Sequence, residues 1–396
     1  MDFAAIKKLD SENGMQNYGR YDVAFASGKG SYLYDTEGKE YLDFASGIGV
    51  VSVGHGNPLW VEAVSRQAAA LSHVSNLFYT EPYAVLAARL TALSGMKAVF
   101  FANSGAEANE GAIKIARKYS YEKYGKDRSA IVTLNQSFHG RTMASLSATG
   151  QASYHDWFFP FVEGFRHIEP NDVSALKEAL AEDVCAIMVE GIQGEGGVLP
   201  LEETYVKTLA KMAAEKDILL LFDEVQTGNG RTGTMYSYQG FGVKPDVVTT
   251  AKGLGGGLPI GAILVNEKCR GVLSAGMHGS TFGGNPIVCA AANAVLDVLT
   301  EPGFLAAVAK KGEKIQKNVK EWKCSFVKEV RGKGLMMGLV LDGLSPKDAA
   351  AELLKRGLVV LTAGKDVLRL LPPLTISDEE LEKGLAILHE YLSEQK

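Results

Sequence analysis

The chain has no apolar run long enough to cross a bilayer as a helix, which argues against a membrane-spanning protein. Its opening, "MDFAAIKKLDSEN", lacks the apolar core of a secretion signal. Cysteine is scarce. Cys185, Cys269, Cys289 and Cys324 stand far apart, with no C-x-x-C or zinc spacing. That pattern excludes a disulfide framework and reads as free thiols in a reducing cytoplasm. The seven histidines form no H-E-x-x-H, so no metal is expected. Positive charge is not in excess either. The 41 basic residues face 46 acidic ones, a net charge of -5, which argues against nucleic acid or an anionic membrane as the main partner.

What is present is an ordinary globular composition, 46% hydrophobic and 22% charged over 396 residues, enough for two or three domains. Residues 1–57 contain "GSYLYDTEGKEYLDFASG", two aromatic-rich runs around the turn "DTEGK", which predicts a β-hairpin packed against one of the domains that follow. Over residues 58–286, helices such as "NEGAIKIARKYSYEKYG" and "YVKTLAKMAAEKD" alternate with the strands "AVFFAN", "AIVTLN", "AIMVEG", "ILLLFDE" and "VVTTA". Short apolar strands separated by helices predict a large α/β domain with a mainly parallel central sheet covered on both faces. Residues 287–396 predict a smaller C-terminal α+β domain. There Ser345 precedes Pro346 at a helix start, and Ser377 and Glu380 have capping-box spacing.

Ligands of open α/β sheets bind at the carboxyl edge of the strands, so the strand ends are the places to look for chemistry. Lys252 ends "VVTTAK" and is followed by Gly253, Gly255, Gly256 and Gly257. A lysine at a strand end is usually a surface residue, but the glycines admit a bulky ligand, and burial would free its amine as a nucleophile. Ser104 and Glu107 have capping-box spacing, a good helix start; Gly105 and Ala106 also leave first-turn amides bare for an anion such as phosphate. Asp223 follows "ILLLF" and needs a partner for its charge, either a basic side chain or a ligand's ring nitrogen. Lysine, amides and aspartate together fit one cofactor with an aldehyde, a phosphate and a pyridine nitrogen.

Phe138 in "SFHGRT" could stack on a flat ring, His139 reads as structural, and Arg141 is a candidate fork for a carboxylate. Arg369 lies within an apolar strand and must find an acid. Glu195, in the glycine loop "EGIQGEGG", could pair with such an arginine or release it to a substrate. "GNGRTG" at 228–233 matches G-x-G-x-x-G, but no amphipathic helix follows it, which disfavours a nicotinamide oxidoreductase.

The set "NSGAEANEGAIKIAR", "SFHGRT", "EGIQGEGG", "LLLFDEVQTGNGRTG", "TTAKGLGGGLPIGA" and "HGSTFGGNP" resembles the class III aminotransferases, pyridoxal-phosphate enzymes of fold type I. The likeness runs in order along nearly the whole chain. It implies that Lys252 holds the cofactor covalently and shuttles a proton, that Asp223 pairs with the ring nitrogen, and that Val225 and Phe138 pack on its two faces. Gln226 would touch the phenolic oxygen. Ser104, Gly105 and Ala106 would hold the phosphate, and Thr281 would reach the phosphate of the neighbouring subunit in a homodimer with shared sites. "YLDFASGIGVVSVGHGNP" and "SFHGRT...SATGQ" are most similar to the branch acting on acetylornithine in arginine biosynthesis. That likeness implies transfer of the donor's terminal amine to 2-oxoglutarate. Arg141 and Ser280 would then bind the donor. Arg369 would bind the 2-oxoglutarate carboxylate, screened by Glu195 in the other half-reaction. Ornithine, succinylornithine and 4-aminobutyrate are alternative donors sharing the same cofactor residues. Tyr18 and Tyr21 are expected in the distal pocket. Asn229 stands where the family commonly has a small hydroxyl residue, a departure from which little consequence is expected.

Overall fold

The computed structural model describes residues 1–395. A seven-stranded sheet runs in the order Ala98–Ala102, Gly261–Val265, Val247–Thr250, Leu219–Asp223, Val184–Val189, Ala130–Leu134, Phe165–Ile168. Every strand is parallel except Gly261–Val265, which is antiparallel to both its neighbours. The five strands expected from sequence are all in it. The two not expected are this reversed strand, which emerges from the glycine loop after Lys252, and the edge strand Phe165–Ile168, whose FRHI sequence carries little apolar signal.

Side-chain alternation fixes how the sheet is covered. Leu219 and Leu221 join Ile131, Met188 and Val247 in one core. Leu220 and Phe222 join Val132, Ile187 and Val248 in the other. The first core is closed by the helix Gly105–Tyr124 through Ala108, Ala112 and Ala116, spaced four apart on one face. Small side chains let that helix lie close to the sheet; a Cβ on Gly111 would stand 2.1 Å from Ile263 Cδ1. The second core is closed by helices that include Glu203–Glu215, through Tyr205, Val206, Leu209 and Ala213. At roughly 1.5–3 kcal/mol per fully buried large aliphatic side chain, these two layers dominate the stability of the large sheet.

Two smaller sheets flank it. Val327–Lys333, Met336–Leu341, Val367–Leu370 and Leu361–Ala363 form an antiparallel sheet in that order. The N-terminal hairpin Tyr32–Asp35/Glu40–Asp43 gains a third strand, Phe25–Lys29, and its other edge pairs in parallel with Leu358–Val359. The hairpin thus packs against the C-terminal part of the chain. Pro286–Leu299, capped by Asn285 with Pro286 in its first turn, packs on Pro58–Ala70 and Glu81–Ser94. Ser345 caps Pro346–Lys355, and Ser377 with Glu380 completes a capping box at Asp378–Ser393. Among the described residues no single helix is long and apolar enough to cross a membrane.

Candidate active site

Five strand ends converge on one cavity of about 420 Å³, the size of a small-molecule site. Ser104, Gly105 and Ala106 follow Ala98–Ala102, and Phe138 to Arg141 follow Ala130–Leu134. Glu190 follows Val184–Val189, Asp223 closes Leu219–Asp223, and Lys252 follows Val247–Thr250.

Asp223 is 3% exposed, and three groups answer its charge. Asn109 Nδ2 donates to Oδ2 at 2.8 Å, His139 Nδ1 pairs with Oδ2 at 2.8 Å, and the Val225 amide donates to Oδ1 at 3.0 Å. Left uncompensated, a buried carboxylate would cost several kcal/mol; hydrogen bonds to a charged group return about 1.5–3 kcal/mol each. His139 is therefore more than a packing residue, because it fixes the acid. Burial works against the imidazolium, but the bond and charge of Asp223 outweigh it and raise the His139 pKa.

Lys252 sits half-buried in the cavity wall with a left-handed φ of +40°. Such a conformation is strained for a residue with a side chain and persists only where its surroundings impose it. Asn229 supplies part of that constraint. Its Nδ2 donates to the Ala251 carbonyl at 3.0 Å and to Thr250 Oγ1 at 2.9 Å, bracing the two residues before the lysine. These bonds give Asn229 a structural role that the sequence alone does not reveal. Burial depresses the Lys252 pKa, against the opposing influence of Glu195, so its amine is neutral more often than an exposed lysine's.

At the opposite wall, Ser104 Oγ accepts from the Glu107 amide at 3.2 Å. The capping box is not closed as its spacing suggests, since Glu107 reaches past Ser104 to the Asn103 amide and side chain at 2.7 and 2.9 Å. The amides of Gly105 and Ala106 have no acceptor among the described residues and open on the cavity. Gly105 also makes room for Val225, since a Cβ there would lie 2.7 Å from Val225 Cγ1.

A second cluster joins the wall through Gln226. Arg369, 2% exposed, donates Nη1 to Glu195 at 2.6 Å and to Gln226 Oε1 at 3.0 Å, and Nη2 to Glu195 at 3.3 Å. Gln226 Nε2 donates in turn to Glu195 at 3.0 Å. Burial alone would raise the Glu195 pKa; Arg369 outweighs it and the net shift is downward. Arg141 differs: it is exposed, forms no ion pair among the described residues, and rests 4.1 Å from the Tyr154 ring centroid and 5.5 Å from that of Phe138.

Ser280 and Thr281 lie outside this cavity. Ser280 Oγ accepts from Asn103 Nδ2 at 3.1 Å and from the Gly283 amide at 2.9 Å, while Thr281 is exposed. Tyr18 and Tyr21 are exposed and do not line it either, contrary to expectation within one chain. Asn109 and Glu190 were not anticipated. The Glu190 signal was available, for "IMVE" ends an apolar strand in an acid as "LLFD" does. "GNGRTG" runs through turns to a five-residue helix, Ser237–Phe241, too short for a dinucleotide site.

A model of the class III aminotransferases matches residues 15–392. The chain belongs to that family. This aminotransferase is 54% identical, over 98% of both chains, to an acetylornithine aminotransferase of Haemophilus ducreyi. It superposes on the ornithine aminotransferase of Toxoplasma gondii with a TM-score of 0.96 at 33% identity, covering 99% of this chain and 95% of that one. For the N-acetylornithine aminotransferase of Stenotrophomonas maltophilia the TM-score is 0.84 at 36% identity, covering 98% of each. The family is pyridoxal-phosphate-dependent and of fold type I, and the mainly parallel seven-stranded sheet is that fold's large-domain core.

Proposed function

We propose that this aminotransferase binds pyridoxal phosphate on Lys252 and moves the terminal amine of N2-acetylornithine to 2-oxoglutarate, giving N-acetylglutamate semialdehyde and glutamate. The cavity residues fit that cofactor. Bare amides at Gly105 and Ala106 suit a phosphate, the carboxylate of Asp223 suits a protonated ring nitrogen, and the depressed pKa of Lys252 suits addition to an aldehyde. When bound, pyridoxal phosphate supplies a ring that accepts the electron pair left as a carbon beside nitrogen loses its proton.

The residues divide the remaining work. Asp223, fixed by Asn109 and His139, holds a proton on the ring nitrogen. Lys252 would hold the cofactor, and its amine, when free, would carry the proton from the donor's terminal carbon. Val225 and Phe138, both in the cavity wall, would keep water from the bound ring, and Gln226 would contact its phenolic oxygen. Arg141 takes the donor's carboxylate, and Arg369 takes the 2-oxoglutarate α-carboxylate when Glu195 leaves it. The observation that carries the reading is a pair of arginines at the cavity that contains Lys252: Arg369, behind Gln226, is paired with Glu195, and Arg141, in the cavity wall, has no acid among the described residues. A site must read two unlike carboxylic acids in turn, and a constant charge at both positions would suit only one of them.

Ser280 and Thr281 act across a homodimer in this reading. The support is the exposed apolar side chains around these residues: Phe282, next in sequence, is 61% exposed, and Leu77, 86% exposed, follows Asn76, whose Nδ2 donates to the Ser280 carbonyl at 3.1 Å. Four unpaired thiols, three of them buried, support the proposal of a cytoplasmic location. Ornithine is the second donor to consider, because the T. gondii ornithine aminotransferase shares the fold so closely. Competition among acetylornithine, ornithine and 4-aminobutyrate, with 2-oxoglutarate as acceptor, decides between them. Acetylornithine should be turned over preferentially; poor turnover of it would reassign the donor and leave the family intact.

A further inference from the structure

One buried acid has no part in the scheme above. Glu190, 4% exposed, forms no ion pair among the described residues. Its two oxygens go to different loops. Oε1 accepts from the Phe138 amide at 2.9 Å, and Oε2 accepts from the Gly194 amide at 3.2 Å. Phe138 belongs to the loop that covers the ring and carries Arg141. Gly194 immediately precedes Glu195, the acid on Arg369.

The two loops touch along their length. Gln193 Nε2 donates to the Asn135 carbonyl at 2.8 Å, and a Cβ on Gly196 would lie 2.2 Å from the Gln136 carbonyl. Gly194 is equally confined, with Gln226 Oε1 2.2 Å from where its Cβ would be. Two N–H donors converge on one side chain here. Only a carboxyl group offers an acceptor oxygen to each; a glutamine would turn an NH₂ toward one of them. A charge-bearing group without an ionic partner is costly in such a place, and packing alone does not call for it.

We propose that Glu190 is a positioning residue that ties the ring-covering loop at Phe138 to the gate loop at Gly194 and Glu195. It is the fixed post between them. Glu195 swings from a backbone anchored at Gly194, while the same carboxyl keeps Phe138 and Arg141 in place. Loss of one acceptor loosens both loops together. This rests on the cofactor and gate roles proposed above.

The test uses holoenzyme of the wild type, Glu190→Gln and Glu190→Asp; the aspartate is too short to span both amides. Three readouts are needed: hydrogen exchange at the Phe138 and Gly194 amides, the dissociation constant of pyridoxal phosphate followed by its absorbance, and KM against kcat for 2-oxoglutarate. In both variants the two amides should lose protection together. The KM for 2-oxoglutarate and the cofactor dissociation constant should each rise about tenfold, as expected for one lost hydrogen bond. A lower melting temperature with both constants unchanged would reduce Glu190 to a structural residue and overturn the proposal, as would loss of protection at one amide alone. If neither variant folds, the wild type decides: both amides must be protected, and free exchange at Gly194 refutes the tie. Absence of borohydride-trapped label on Lys252 would instead defeat the cofactor reading, while the exchange data still answer for Glu190.

Discussion

Asn229 shows how one side chain can brace the backbone that leads into Lys252. It sits at a left-handed φ of +55°, which asparagine tolerates better than most residues, and its amide holds the backbone just ahead of Lys252. Asn229→Gly keeps the φ and loses both bonds; Asn229→Ala loses the bonds and adds strain. We expect losses of about 1–2 kcal/mol for glycine and about 1 kcal/mol more for alanine in urea unfolding, with slower cofactor capture in both. Equal stability of all three proteins would show that the brace is idle. Glu190 gives a pH signature. Burial is the main cause that pushes its carboxyl up to about 7, so the folded chain binds that proton more tightly than the unfolded chain. The contribution is therefore fully present below about 4.5 and is lost as pH rises through about 7. The unfolding midpoint of the cofactor-free wild type should fall across that window relative to Glu190→Gln; parallel curves would contradict the shift. Arg141→Ala should raise donor KM by tenfold or more and leave cofactor loading unchanged. Impaired loading would move that arginine to the cofactor.

At the scale of elements, the helix Gly105–Tyr124 has two duties. Its first turn presents the amides of Gly105 and Ala106, while Ala108, Ala112 and Ala116 set how closely it lies on the sheet. Position and function are therefore mechanically linked. Ala112→Leu overfills a fully buried contact and should cost about 1–3 kcal/mol. It should also weaken phosphate-dependent cofactor binding, because the first turn must lift with the rest. Calorimetry combined with a pyridoxal phosphate titration separates the two effects; lost stability with unchanged affinity would mean that the helix flexes between them. Such elements were largely legible in advance. Apolar runs ending in Asp223 or Lys252 announced strand ends, and Ser345 and Ser377 announced helix starts. The direction of Gly261–Val265 was hidden because a fully buried strand reads alike either way, and its apolar run merges with the glycine loop before it. The tie of Glu190 to two loops, and of Asn109 and His139 to Asp223, depended on which strand ends became neighbours, and local pattern carries no record of that. Arg369 could be read as needing an acid, but the choice of Glu195, 174 positions away, belongs to tertiary packing.

At the scale of the whole molecule, the cavity around Lys252 is built within one chain, while Ser280, half-buried, and Thr281, exposed, lie outside it. A second copy supplying them would cover the exposed side chains of Leu77, Phe78 and Phe282. Leu77→Asp should then shift sedimentation toward the monomer at micromolar concentration and weaken cofactor retention in parallel. A variant that stays dimeric, or a monomer that keeps full affinity, would place the subunit contact elsewhere.

The pairing of Leu42 with Leu358 joins strands about 300 residues apart, a connection of the slowest-forming kind. On an emerging polypeptide, the early aromatic ribbon waits with one bare edge until almost all of its translation is over. Arg369 comes later still. The cavity lining, from Val50 to Ile260, is already synthesised by then, so the waiting edge is the part of the ribbon that a chaperone would have most to protect.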